Sequence, residues 1–152
     1  MEIHIEAIAK SQRLPKLINK LLQVWVLSVR ASHHFLTEAD IVRLTPQAEG
    51  ALRHIETLWI VKDDLEPIGF MGVQDQKIEM LFLHPDYFHQ GLGKALVNRA
   101  FVELNVEFVD VNEQNPEALK FYEHMGFKIF KRNEYDSEGN PFPILELKRN
   151  IS

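Results

Sequence analysis

Residues Lys77–Val102 read KIEMLFLHPDYFHQGLGKALVNRAFV. The apolar run Ile78–Leu83 has strand length, and His84-Pro85 stops it, because proline removes a donor and biases its neighbour to extended geometry. After Gly91-Leu92-Gly93, apolar residues recur at Leu92, Leu96, Val97, Ala100, Phe101 and Leu104, which is helical spacing. The stretch therefore reads as strand, glycine loop, helix. A helix start leaves main-chain N–H groups unpaired, and the positive end of its dipole lies there. Glycine lets a ligand approach the backbone closely. Together these make an anion site, with Lys94 adding charge in the first turn.

Known phosphate motifs divide on particular residues. A Walker loop needs glycine at position 88 and Ser or Thr at 95, where this chain has Phe88 and Ala95. The dinucleotide fingerprint starts at Gly91 and Gly93 but meets Leu96 where a third glycine belongs. Asp110 stands at about the spacing of a ribose-binding acid, yet too little chain follows it for a doubly wound sheet. A nucleotide-binding α/β domain is thus the rival from another class.

Phe88-His89-Gln90-Gly91-Leu92-Gly93 resembles motif A of the GCN5-related N-acetyltransferases, Q/R-x-x-G-x-G/A after an apolar strand and a proline. The chain departs from it at Phe88, where the family has Gln or Arg, and at His89, often Gly. Downstream, Asn115, Ala118, Tyr122, Gly126 and Phe127 fall in register with the family's motif B, N-x-x-A-x-x-x-Y-x-x-x-G-F. The two motifs cover the C-terminal half; the N-terminal half agrees in element order.

That order is legible along the chain. Glu2–Ile8 alternates as a half-buried strand. Ser11 is positioned to cap a helix whose stripe runs through 14, 17, 18, 21, 22, 25, 26 and 29. Thr37-Glu38-Ala39-Asp40 opens a second helix to about Ile55, interrupted at Gly50. Strands follow at 58–61, 68–73 and 78–83, then the central helix, a strand at 106–112, a helix at 116–124, and strands at 127–131 and 144–147. The sum is β-α-α-β-β-β-α-β-α-β-β, a mixed, mostly antiparallel α/β sheet in one domain over 1–152.

The resemblance implies an N-acetyltransferase moving acetyl from acetyl-CoA to a primary amine of a small molecule or a protein, by direct transfer. A non-catalytic acyl-CoA sensor is the alternative. It implies cofactor contacts from Leu81, Phe82, Leu83, Phe88, His89, Gln90, Gly91, Leu92, Gly93, Lys94, Asn115 and Tyr122. Main-chain groups of Leu81 and Leu83 would pair with the pantetheine arm. Tyr122 matches the proton donor to the CoA thiolate; its other reading is packing beside Phe121. Asn115 either touches cofactor or caps its helix. Glu79 is the base expected from the strand, placed by two-residue alternation on the face of Leu81 and Leu83; its other reading is a solvated acid. His33, after the first helix, is a second base on the acceptor wall. The loop with Arg132, Tyr135 and Asp136 flanks the same mouth. His89 is expected to avoid positive φ, which is costly for a bulky residue.

Composition bounds the rest. The chain has 152 residues, 45% hydrophobic, no cysteine and a net charge of −5. Disulfides, thiolate metal sites and a cysteine nucleophile are excluded. Seven histidines show no ligand spacing, so no metal is expected. The acidic balance speaks against nucleic acid, and no run spans a membrane. MEIHIEAIAK is no signal peptide, so the cytoplasm is expected. A homodimer is left open.

Overall fold

Pro15 begins the longest helix, α1 (Pro15–Ser32), because its missing N–H and fixed φ suit the first helical position. Leu14 before it is forced extended, with ψ 157. Ser11 therefore caps nothing; it lies in a short 3-10 turn, Lys10–Gln12. This computed structural model describes residues 2–149. Met1 and residues 150–152, the ends of the expected 1–152 domain, lie outside the described residues.

The stripe on α1 buries Ile18, Leu21, Trp25 and Val29, while Leu14 stays 62% exposed. Truncating Ile18 or Leu21 to alanine would cost about 2–5 kcal/mol. The next helix, α2 (Glu38–His54), starts at a reciprocal cap: Thr37 Oγ1 accepts from the Asp40 N–H at 3.1 Å, and Asp40 Oδ2 accepts from the Thr37 N–H at 3.0 Å. Gly50 does not interrupt α2, which runs through both Pro46 and Gly50. Its C-terminal carbonyls are held from outside. The buried Arg13 guanidinium donates to Leu52 O at 3.2 Å, Arg53 O at 3.2 Å and Ile55 O at 2.6 Å. That staple satisfies groups a helix end leaves open.

Seven strands form one sheet: β1 (Ile3–Ala7), β2 (Thr57–Asp63), β3 (Glu66–Gln74), β4 (Lys77–Leu83), β5 (Phe108–Asn112), β6 (Phe127–Asn133) and β7 (Ile144–Arg149). Their spatial order is β1-β2-β3-β4-β5-β7-β6. Every neighbouring pair is antiparallel except β4 with β5. The crossover between those two is α3 (Leu92–Leu104), and α4 (Pro116–His124) precedes β6. Leu96, Val97 and Ala100 of α3 pack with Tyr122 of α4 on one sheet face; Ile18, Leu21, Trp25 and Leu52 of α1 and α2 cover the other. The element order and mixed sheet expected from the sequence are those of the fold.

Two features of β4 position the site. Its parallel register with β5 ends after Lys77↔Phe108 and Ile78↔Val109. Beyond Ile78 the strands part. On the other side, β3 pairs Val73 with Ile78 but Gly72 with Met80, leaving Glu79 as an extra residue. Ile78 packs on the α3 face and Met80 on the α1 face. Such a bulge breaks two-residue alternation, so the phase used to place Glu79 beside Leu81 and Leu83 is no guide to its direction.

Candidate active site

Where β4 and β5 part, β4 keeps half of its hydrogen-bonding groups free. The His84 N–H donates to Ile68 O of β3 at 2.7 Å. In an antiparallel ladder alternate residues face the partner, so Phe82 and Met80 also turn to β3. The main-chain groups of Leu81 and Leu83 then point to the side that β5 has left.

Past β4 comes a short 3-10 turn, Pro85–Tyr87, and then the glycine loop. Gly91 is the N-cap of α3 with φ 82, a conformation that glycine adopts without strain. A Cβ at Gly93 would lie 3.4 Å from the Phe121 ring. Among the described residues no acceptor takes the main-chain N–H of any residue from His89 to Lys94. That run of free donors at a helix N-terminus suits a pyrophosphate. His89 corrects the expectation set for it: its φ is 61. Left-handed backbone costs a non-glycine residue roughly 1–2 kcal/mol. Histidine is among the residues that tolerate it, and the turn must close between Pro85 and Gly91.

Two clefts flank the parting. One, of about 760 Å³, takes in the loop: Phe88, His89, Gly91, Leu92, Gly93 and Lys94 line it with Leu81, Phe82, Leu83, Asn115 and Tyr122. Gln90 is not on its wall; the Gln90 amide donates to Asp86 O at 2.9 Å. The other, of about 850 Å³, is lined by Glu79, Lys77, Asp110 and the segment from Lys131 to Ser137. His33, Leu81, Phe82, Asn115, Ala118 and Tyr122 belong to both, so the clefts meet there.

Tyr122 lies at that junction. It is 7% exposed, with Phe121 and Phe127 edge-on to its ring at 5.0 and 5.7 Å. Its hydroxyl has no hydrogen-bond partner among the described residues, and burial pushes the phenol above its ordinary pKa. At neutral pH it is a protonated donor aimed into the junction. Asn115 is the N-cap of α4, its Oδ1 accepting from the Ala118 N–H at 3.3 Å.

His33 ends α1. The one hydroxyl proton of Ser32 goes to Ser28 O at 2.7 Å, so the His33 Nδ1–H donates to Ser32 Oγ at 2.8 Å. The lone pair is left on Nε2. The Phe35 and Phe82 rings pack at 5.5 and 6.1 Å. Burial, aided by His34, lowers the imidazole to about 4, so His33 is neutral near pH 7.

Glu79 and Lys77 share the second cleft with an acid that the sequence reading met only as a ribose ligand, Asp110. Lys77 Nζ is 3.2 Å from Asp110 Oδ2 and 4.0 Å from Glu79 Oε1. Burial raises both carboxyls, against the pull of Lys77. The signal for Asp110 was present: it is a lone acid in the apolar strand FVDVN. Arg13, also missed, carries no sequence signal, since the acceptors it holds at the end of α2 lie 39 or more residues away. Among the described residues no three His, Cys, Asp or Glu side chains gather to hold a metal ion, and no helix is long and apolar enough to cross a membrane.

Residues 54–129 match the Acetyltransferase (GNAT) domain family. The peptidyl-lysine N-acetyltransferase YjaB of Salmonella typhimurium is 40% identical over 129 residues, 84% of this chain and 88% of that protein. The chain belongs to the GNAT family. The solution structure of apo YjaB from Escherichia coli superposes on this GNAT fold with a TM-score of 0.84 at 32% identity, covering 100% of both chains. A Thermoplasma acidophilum N-acetyltransferase, solved in complex with coenzyme A, shares the fold at 21% identity and TM-score 0.66, over 97% of this chain and 99% of its own. This GNAT protein is an acetyl-CoA-dependent N-acetyltransferase acting on a primary amine. The nucleotide-binding alternative falls with the family match, and the sensor alternative is not favoured, since family and relative are both named for catalysis.

Proposed function

We propose that this chain, one domain over residues 1–152, acetylates lysine side chains of proteins in the cytoplasm. The relative named for peptidyl-lysine supports the acceptor class, and the acidic groups in the second cleft suit a cationic side chain. Free main-chain groups of Leu81 and Leu83 hold the pantetheine arm, and the N–H groups from His89 to Lys94 hold the pyrophosphate. The thioester then lies at the cleft junction, with the amine arriving past Glu79 and His33. Glu79 takes the proton that the attacking amine must lose, directly or through water. Tyr122 returns a proton to the departing thiolate, which a phenol of higher pKa than a thiol can do in the protonated state. His33 shapes the wall and offers Nε2 as an acceptor.

The observation that carries this reading is Tyr122, a buried residue where the two clefts meet, whose hydroxyl has no partner among the described residues. The test is thiol release from acetyl-CoA across an amine panel: lysine peptides, peptides whose only amine is the N-terminus, polyamines and aminoglycosides. Turnover on lysine peptides is expected to lead. Turnover on small amines alone would overturn the protein acceptor while leaving acetyl transfer intact. Sedimentation with and without acetyl-CoA separates monomer from homodimer.

A further inference from the structure

We propose that Lys77 and Asp110 are positioning residues that set the ionisation of Glu79 from opposite sides, Lys77 holding it as a carboxylate and Asp110 drawing Lys77 away. The inference rests on the reading of Glu79 as base.

Geometry isolates this group. Glu79 is the extra residue of the β4 bulge, so its direction is not fixed by a partner on β3. Lys77, two residues back, sits in the two-residue stretch where β4 and β5 pair, opposite Phe108. Its ammonium lies 3.2 Å from Asp110 Oδ2 and 4.0 Å from Glu79 Oε1, so the nearer bond goes to the residue that does no chemistry. The other Asp110 oxygen is buried and has no hydrogen-bond partner. Lys77 is thus the only nearby cation for two acids among the described residues that face Glu79. The remaining charge comes from Asp75 in the β3–β4 turn, which faces Glu79, and from Glu146 on β7, which faces Lys77 and Asp110. Burial of Glu79 raises its carboxyl, Lys77 lowers it, and Asp110 and Asp75 raise it. The cleft that holds these groups also holds the nine-tenths buried Tyr122 with its free hydroxyl, which ties the cluster to the reacting centre.

Two substitutions then act with opposite sign. Lys77→Met removes the attraction and leaves both acids. The Glu79 midpoint should rise by about one pH unit, the low end for an opposite charge this close, because Glu79 is partly solvated. Asp110→Asn keeps the shape, removes a repelling charge and frees Lys77 for Glu79. The midpoint should fall by a smaller amount. Lys77→Arg keeps the charge and should stay near wild type. A side chain that merely supports the fold would not move the midpoint in two directions.

The experiment has two readouts. NMR titration of the labelled Glu79 carboxyl reports the midpoint in each variant without any acceptor. The acid limb of kcat/KM, with acetyl-CoA and a lysine-containing peptide, reports the base at work. The expected result is a rise for Lys77→Met, a fall for Asp110→Asn, and an acid limb that follows each. Midpoints that stay put, or move together, overturn the inference. Glu79→Gln separates the two readings. If it leaves the acid limb in place, Glu79 is not the base and the inference falls with that reading. If it removes the limb while the other variants superimpose on wild type, the base stands and only the inference fails.

Discussion

The cleft on the α3 side and the cleft behind Glu79 are built from different material. The first presents main-chain donors: the freed groups of Leu81 and Leu83 and the N–H run from His89 to Lys94. The second presents charged side chains: Glu79, Lys77, Asp110 and the segment from Lys131 to Ser137. A site made of backbone depends on φ and ψ and tolerates changes of side chain. A site made of side chains is rewritten by single substitutions. This explains how Phe88 and His89 can stand where the family has other residues without removing a donor. On the proposed function, acceptor choice falls to the second cleft.

The sharpest break falls on Tyr122, one of the residues shared by both clefts. Tyr122→Phe keeps the ring against Phe121 and Phe127 and removes only the hydroxyl. General acid catalysis contributes about 10²–10⁴-fold, so kcat should fall by about a hundredfold or more with acetyl-CoA affinity unchanged. A kcat within twofold of wild type would return Tyr122 to packing alone.

Next comes the backbone cleft itself. Gly91→Val puts a β-branched residue at φ 82 although nothing lies within 4 Å of its Cβ. The effect is therefore conformational. Strain of roughly 1–3 kcal/mol should weaken acetyl-CoA by about tenfold to a hundredfold by calorimetry. Unchanged affinity in a folded variant would mean that the loop does not bind through its backbone.

At the wall shared by both clefts the readout is stability. His33 titrates at about 4 when folded, against an ordinary 6.5. Its folded pKa is depressed, so between those values the unfolded chain binds more protons. The stabilisation is present in full above pH 6.5 and is lost as pH falls through about 4. Urea unfolding should show a loss on the order of 2 kcal/mol across that window, and His33→Phe should remove that share of the slope. Parallel pH profiles for the two proteins would show that His33 titrates normally.

The same division between pattern and backbone marks what was legible in the sequence. The helix α1 and the strand β1 follow from periods of 3.6 and 2, which burial writes directly into residue order. Asn115 and Thr37 were readable as caps because a short polar side chain before a helix has a local task. Ser11 misled because Pro15 sets the helix start more strongly than a hydroxyl does. Gly50 misled because α2 is held at its end by Arg13, and a partner 39 residues away has no local signature. The bulge at Glu79 was invisible for a related reason. It is a property of the β3–β4 register, and KIEMLFL alternates equally well without it. Of the site, the motif residues lay in the sequence; the Lys77–Asp110 contact, 33 residues apart, did not.

His89 gives the smallest expected effect and the finest test of the contrast. His89 lines the first cleft, and its backbone has φ 61. If the N–H groups carry the binding, the imidazole is dispensable and the backbone shape is what matters. His89→Gly removes the ring and relieves the left-handed strain of roughly 1–2 kcal/mol. Glycine also gains freedom in the unfolded chain, about 0.4–1 kcal/mol, so the net change in stability should be a gain of about 0–1.6 kcal/mol. Acetyl-CoA affinity should stay within about threefold, under 0.7 kcal/mol. His89→Val keeps the strain and worsens it, so it should weaken both folding and binding. Calorimetry on the pair decides the matter. A glycine variant that loses more than tenfold while valine behaves the same would make the imidazole itself a phosphate ligand. The first cleft would then rely on side chains as the second does.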